Sequence, residues 1–145
     1  MKNLFVSVFI LLLSSTAVFA QEGEKNTNTD PKLIGSWKGE EKDKQYEGVE
    51  KHWVQHRFED GTYLILFTAV YHKTGKVKSF AEKGKWWIED GKFYEQHSGG
   101  DLPEVYTYSF IDDDHVKFKI DNSGSLEYDD PNYEFIDIRI LEDNL

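Results

Sequence analysis

Two groups of histidine and carboxylate residues have types and spacings that could do chemistry. His52 and His56 lie four residues apart, which on a helix would bring both imidazoles to one metal ion. Their neighbours alternate between polar and apolar residues as strands do, and four strand residues span about 13 Å at roughly 3.3 Å per residue. We therefore predict no metal at this pair, and instead two histidines that face a barrel interior or solvent.

Glu95 and His97 form the second group. Two residues apart on a strand, they would share one face. The pair could hold the polar end of a ligand, act as an acid–base pair, or form a hydrogen-bonded contact at a barrel rim. No serine lies in a Gly-x-Ser-x-Gly motif and no glycine-rich loop precedes a helix, so hydrolase and nucleotide chemistry have no motif support. We predict no cofactor.

Strands are the elements that must position these residues. Segments rich in β-branched and aromatic residues are separated by turn signals, and none keeps a helical period for longer than about two turns. Sequential hairpins without crossover helices favour a closed barrel, which leaves no strand edge exposed. The sequence predicts an all-β antiparallel up-and-down barrel of eight or nine strands, at residues 37–40, 49–58, 63–71, 77–81, 84–88, 93–97, 105–111, 116–120 and 133–141.

The Asp-Gly pairs at 60–61 and 90–91 set the expected register, because this dipeptide favours two-residue type I′ turns. Under that assumption Phe58 pairs with Tyr63, and Trp86 pairs with Glu95. One face of the two hairpins then carries the residues predicted to face the lumen: His52, Val54, His56, Phe67, Trp86, Phe93, Glu95 and His97. The opposite face carries two aromatic residues that would pack across the hairpin or offer a surface to a protein partner, Trp87 and Tyr94.

Residues 1–20 have the pattern of a secretory signal peptide. Lys2 precedes an apolar segment at 4–13, and the small residues that lead up to Ala20 are typical of a cleavage site after that residue. The apolar segment is shorter than the roughly 20 residues of a membrane span. Residues 21–31 are polar and are predicted to form a flexible leader to a barrel domain at 32–145. We therefore expect an exported protein, periplasmic or extracellular, that does not span a membrane.

Composition narrows the classes of partner. The net charge of −10 repels phosphate backbones and anionic lipid headgroups, so nucleic acid is not an expected partner. The absence of cysteine excludes thiol catalysis and disulfide exchange, and an exported domain without disulfides is typical of a bacterial envelope. The 10 Phe, 8 Tyr and 4 Trp residues supply enough apolar surface for a core without disulfides.

Gly35-Ser36-Trp37 at the first strand, the hairpins that follow, and Arg139 in the last strand together resemble the calycin superfamily, which includes lipocalins and fatty-acid-binding proteins. In these families the tryptophan closes one end of the barrel and a late arginine packs across its indole. The resemblance implies that Gly35, Trp37 and Arg139 are structural residues at a closed end. It also implies that the barrel is lipocalin-like, with an open mouth at the other end.

The expected function is that of an exported carrier that binds a small apolar or amphipathic molecule in the lumen. Phe67, Trp86 and Phe93 would contact the apolar body, and a neutral or cationic head would lie near Glu95. Two alternatives are an interaction or inhibitor module that uses the outward aromatic side chains, and a small barrel enzyme that uses Glu95 and His97. A lumen cavity of about 300 Å³ or more would favour the carrier or the enzyme over the interaction module.

Overall fold

The computed structural model describes residues 28–123 and 130–141. The predicted signal peptide and residues 21–27 of the predicted leader lie outside these ranges. A short 3₁₀ helix at Pro31–Leu33 precedes the strands. Their bounds are β1 Gly35–Lys42, β2 Val49–Arg57, β3 Thr62–Tyr71, β4 Lys76–Glu89, β5 Lys92–His97, β6 Glu104–Phe110, β7 His115–Ile120 and β8 Glu134–Arg139.

The strands form a closed antiparallel barrel in which each strand pairs with its neighbour in sequence and β8 pairs with β1. This confirms the predicted fold class, an all-β up-and-down barrel. Closure pairs both edges of the sheet, which removes the unpaired backbone groups that an open sheet would expose. Within the described ranges, no helix is both long and apolar enough to cross a membrane.

The predicted segments 77–81 and 84–88 belong to one long strand, β4. Residues 76–85 of β4 pair with β3, and residues 84–89 of β4 pair with β5. Gly84 permits this, because a Cβ at that position would lie 2.4 Å from the ring of Tyr63 and from the carbonyl oxygen of Gln96. The barrel therefore has eight strands, at the lower end of the predicted range.

The first hairpin differs from the predicted register by one residue. Arg57 pairs with Tyr63 and Gln55 with Ile65, because the loop has three residues rather than two. Phe58 N–H donates to the carbonyl oxygen of Thr62 at 2.8 Å, and only the last loop residue, Gly61, has a positive φ, of 78°. A one-residue slip sends every side chain of a strand to the other face. In the second hairpin Asp90 and Gly91 both have positive φ, and the pairing of Trp86 with Glu95 is as predicted.

One end of the barrel is closed by Trp37. Its side chain is fully buried, and the guanidinium carbon of Arg139 lies 4.2 Å from its ring centroid. The indole N–H donates to the carbonyl oxygen of Leu33 at 2.9 Å. Arg139 also donates to the carbonyl oxygens of Lys32 and Ile34, at 2.7 Å and 3.2 Å. The 3₁₀ helix is thus fixed across this end by both side chains.

Aromatic side chains fill the half of the barrel above this closed end. Trp86, Phe93 and Phe118 are buried, with centroids 6.0 Å apart for the first pair and 4.9 Å for the second. The guanidinium carbon of Arg57 lies 5.0 Å from the ring of Phe93 and 5.1 Å from that of Phe118. The closed half is therefore packed with the described side chains, so a molecule inside the lumen has space only in the other half.

Candidate functional site

The open half of the barrel contains a cavity of about 250 Å³. Side chains that point inward from β2, β3, β4, β5, β6 and β8 line it. The aromatic members are Trp53, Phe67, Phe80, Tyr106, Tyr133 and Phe135. The volume falls just below the 300 Å³ expected for a carrier, so the cavity suits a ligand smaller than most drug-sized molecules.

The aromatic wall is built by cross-strand pairs. Phe67 on β3 stacks on Phe80 on β4 with centroids 5.2 Å apart. Trp53 on β2 meets Phe135 on β8 edge to face at 5.4 Å. Phe80 is 50% exposed, so it marks the rim of the cavity, where an incoming molecule would meet it first. These rings can contact an apolar or aromatic body.

A buried hydrogen-bonded network forms the floor. Asp137 is fully buried and accepts from Trp53 Nε1 at 2.7 Å, Gln55 Nε2 at 2.8 Å and Arg57 Nη2 at 2.6 Å. The three donors lie at alternate positions of β2, which is why they share its inward face. Gln55 also lines the cavity, and its Oε1 has no hydrogen-bond partner among the described residues. The Oε1 atom is itself covered by neighbouring atoms, so a donor in the cavity would reach it only after a movement of the Gln55 side chain.

Four titratable side chains form a cluster in the wall. Glu95 and His97 come from the inward face of β5, and Glu104 on β6 pairs directly with Glu95. Glu82 reaches the cluster from β4 and contacts His97 Nδ1. His97 Nε2 lies 3.5 Å from Glu104 Oε1 and 3.9 Å from Glu95 Oε1. Three carboxylates thus surround one imidazole.

The surroundings shift the protonation of this cluster. Burial raises the pKa of Glu95 to about 7, against the opposing effect of the Arg57 guanidinium. Hydrogen bonds to Glu104 and Glu82 raise the pKa of His97 to about 9, so the imidazole is protonated at neutral pH. Burial, helped by the nearby carboxylates, also raises the pKa of Tyr63, whose hydroxyl lies 3.1 Å from His97 Nδ1. Even with His97 charged, the excess of carboxylates makes the wall attractive to cations.

The structure brings together part of the predicted ligand site. Phe67, Glu95 and His97 line the cavity. Trp86 and Phe93 point inward as well, but both are 1% exposed and belong to the packed closed half. Gly35 lies at the closed end, where an added Cβ would lie 3.4 Å from Arg139 Nη1.

His52 and His56 do not face the lumen, and neither does Val54. All three lie on the outer face of β2, because the longer first turn reverses the face assignment of that strand. His52 Nε2 lies 2.9 Å from Glu50 Oε1. His56 Nδ1 lies 2.8 Å from Ser36 Oγ, and its ring contacts Phe58. The predicted absence of a shared metal at this pair rested on strand spacing, and both residues do lie on a strand.

Sequence reasoning missed several residues of the site. Trp53 and Gln55 would have followed from a three-residue first turn, since both then share the inward face with Phe67. Glu104 follows a loop at 98–103 that contains Gly99-Gly100 but whose length does not fix a register, so its pairing with Glu95 could not be predicted from the sequence. On the outer face Trp87 stacks on Tyr94 with centroids 5.2 Å apart, as cross-strand packing predicts.

Comparison of the sequence with models of known protein families and with curated proteins gives no match. The site must therefore be interpreted from its own geometry.

Proposed function

We propose that the protein binds a small amphipathic molecule in the open half of the barrel, with a cationic or neutral donor-bearing head. The observation that carries this proposal is the cavity of about 250 Å³, which has an aromatic wall on one side and a carboxylate-rich wall on the other. Such a combination of apolar surface with a few convergent polar groups is typical of small-molecule sites.

The polar side chains of the cavity determine which head group a ligand can have. Glu95 and Glu104 line the cavity and can accept hydrogen bonds, so a head that donates them is stabilised. An ammonium group also gains from the charges of the carboxylates, whereas a carboxylate head would meet like charges. Lys51 also lines the cavity, but its Nζ lies 2.7 Å from Glu41 Oε1. Because Glu41 already balances its charge, Lys51 does not attract an anionic head.

The body of the ligand is selected by size and by aromatic contacts. Phe67, Trp53 and Phe135 offer ring faces and edges in a space of about 250 Å³. A short alkyl chain or a single aromatic ring fits this space better than a long acyl chain. The proposal thus favours small aromatic or short aliphatic amines and alcohols over fatty acids.

Tryptophan fluorescence tests the proposal. The ligands form a matched series with one short body and an ammonium, hydroxyl or carboxylate head, such as phenethylamine, phenethyl alcohol and phenylpropanoate. We expect the ammonium to bind at least about tenfold more tightly than the carboxylate, which corresponds to about 1.4 kcal/mol. Glu104→Gln should reduce that preference. The matched control, Glu50→Gln, removes a carboxylate from the outer face of β2 and should leave it unchanged. A tighter fit for the carboxylate would contradict the proposal.

We also propose that the protein acts outside the cytoplasm, and that its barrel is related to the calycins. The signal-peptide pattern of residues 1–20 supports the first statement, and the packing of Arg139 across Trp37 supports the second. Fractionation of expressing bacterial cells and N-terminal sequencing of the product test export. The proposal predicts a mature chain that begins near Gln21 in the exported fraction.

A further inference from the structure

The four-residue cluster in the cavity wall has the arrangement of a metal site. One oxygen from Glu95, one from Glu104 and one ring nitrogen from His97 all lie within 4.8 Å of one another. Glu95 and His97 are two residues apart on β5, and Glu104 is the cross-strand partner of Glu95 on β6. The backbone of two paired strands thus holds all three donors, which is a more rigid support than a loop.

The imidazole is oriented so that a cation could replace the proton that it shares with Glu104. Its Nδ1 contacts Glu82 and lies 3.1 Å from the hydroxyl of Tyr63, while its Nε2 faces the oxygens of Glu95 and Glu104 at 3.9 Å and 3.5 Å. Histidines that bind metals commonly donate the other ring N–H to a carboxylate, which fixes the tautomer and the direction of the free nitrogen. Here Glu82 is the carboxylate in contact with His97 Nδ1, and it is therefore a positioning residue for His97.

A second observation in the same cavity points to a ligand. Gln55 is 4% exposed, its Nε2 is used by Asp137, and its Oε1 has no partner among the described residues. Water bound to a cation in this cavity would supply a donor for that oxygen once the Gln55 side chain moved to uncover it. The direct pairing of two carboxylates, Glu95 with Glu104, favours a cation beside them, since like charges opposite each other destabilise a sheet. The His97 imidazolium supplies that charge at neutral pH, and a metal ion would supply it when the imidazole is deprotonated.

We propose that Glu95, His97 and Glu104 bind one divalent first-row transition cation, with Glu82 positioning the imidazole. One imidazole and two carboxylates suit such an ion, and Zn²⁺ commonly takes oxygen and nitrogen donors at about 2.0–2.2 Å. His97 Nε2 already lies 3.5 Å from Glu104 Oε1 and 3.9 Å from Glu95 Oε1. Only small side-chain movements are therefore needed to reach a tetrahedral arrangement around one ion. Three protein ligands leave a fourth position, and the cavity offers the space for it.

This inference goes beyond the proposed function. A bound cation would occupy the carboxylates proposed to attract an ammonium head, so it would compete with cationic amphiphiles. Metal titration needs no amphiphile, and the amphiphile titration is done in chelator. Failure of one proposal is therefore distinguishable from failure of the other.

Calorimetric titration of untagged, chelator-treated protein with ZnCl₂ tests the inference. We expect binding of one equivalent by the wild type, weakened at least tenfold in Glu104→Gln and in Glu95→Gln. Glu82→Gln should weaken it by ten- to hundredfold, as loss of a group that orients a metal-bound histidine typically does. Each variant is first checked for an unchanged circular dichroism spectrum, and two ligand variants guard against one that does not fold.

The matched control is His72→Gln. Glu50 on the outer face lies 2.9 Å from His52 Nε2 and 3.0 Å from His72 Nε2, so that cluster is the main rival site for Zn²⁺. The inference predicts that His72→Gln binds Zn²⁺ like the wild type. It is overturned if the wild type binds no Zn²⁺, or if His72→Gln loses binding while Glu95→Gln and Glu104→Gln retain it.

Discussion

Arg57 Nη2 lies 2.6 Å from Asp137 Oδ2, and both side chains are almost completely buried inside the barrel. The pair divides the lumen. Below it, aromatic rings fill the closed half and contact the guanidinium, and above it the residues bound to Asp137 form the floor of the cavity. The position of this one ion pair decides which half of the barrel can bind a ligand.

Removing the charge of Asp137 should destabilise the fold strongly. Asp137→Asn leaves the buried guanidinium of Arg57 without a counter-charge, and breaking a buried pair typically costs about 3–5 kcal/mol. Urea denaturation measures the free energy of unfolding. The control is Asp121→Asn, which breaks the more exposed pair with Lys92 and should cost about 1 kcal/mol or less. Equal costs for the two variants would contradict the assigned role of the buried pair.

The closed end should depend on both residues that close it. Trp37→Ala removes a fully buried indole and should cost about 3–5 kcal/mol. Arg139→Gln removes the cation that lies over this ring and should cost less, about 0.5–2 kcal/mol, beyond the effect of its lost hydrogen bonds. Thermal unfolding followed by circular dichroism measures both. An unchanged melting temperature for Trp37→Ala would show that this end is not closed as described.

The two Asp-Gly hairpins show how far local sequence fixes register. Both contain the same dipeptide, yet one forms the predicted two-residue turn and the other a three-residue loop. The difference lies in the next residue. Thr62 donates its backbone N–H to Asp60 Oδ1 at 2.9 Å and its hydroxyl at 2.6 Å, which stabilises the longer loop. Lys92, which follows Gly91, has no hydroxyl, and there the type I′ turn forms.

The fold class could be predicted because it depends on strand period and turn spacing. The closed end could be predicted only from the resemblance to the calycins, which matches Trp37 and Arg139. The site could be predicted only where the second hairpin carried it, as with Glu95 and His97. Glu82 joins them because β4 continues through Gly84 as one strand, and Glu104 joins them because β6 pairs with β5 across the loop at 98–103. Strand continuity and the register across this loop are not fixed by local residue patterns, which is why this part of the site could not be predicted.

The corrected register predicts opposite labelling of two neighbouring positions. The protein has no cysteine, so single cysteines can be placed without background. Val54→Cys, at a position 48% exposed on the outer face, should react quickly with a water-soluble maleimide. Gln55→Cys, at a position 4% exposed in the cavity wall, should react at least about tenfold more slowly, since modification needs an exposed thiolate. If Gln55→Cys reacted faster than Val54→Cys, the result would support the two-residue turn and contradict the register described here.

The raised pKa of Glu95 predicts a pH-dependent effect on stability. A group with a higher pKa in the folded state contributes stability that is fully present below its unfolded pKa, here 4.5, and is lost as pH rises through about 7. The Glu95→Gln variant has no carboxyl group to ionise at this position, so it does not lose this stability as pH rises. In chelator, its free energy of unfolding relative to wild type should therefore increase by about 3 kcal/mol between about pH 4 and pH 8.

Glu50→Gln is the control for that measurement. Hydrogen bonds to His72 and His52 lower the pKa of Glu50, so its contribution has the opposite sign and is lost as pH falls. The relative stability of Glu50→Gln should therefore decrease, not increase, as pH rises. If both variants followed the same trend, burial of Glu95 would not be the cause.

The indole N–H resonances of the four tryptophans give the most direct test of ligand binding in the lumen. Trp53 lines the cavity, Trp37 and Trp86 are buried in the closed half, and Trp87 stacks on Tyr94 on the outer face. Titration of ¹⁵N-labelled protein with phenethylamine in chelator, with Trp87→Phe to assign the outer indole, follows all four. We expect a saturable shift of the Trp53 resonance while that of Trp87 stays fixed. A shift of Trp87 alone, with Trp53 unmoved, would contradict it.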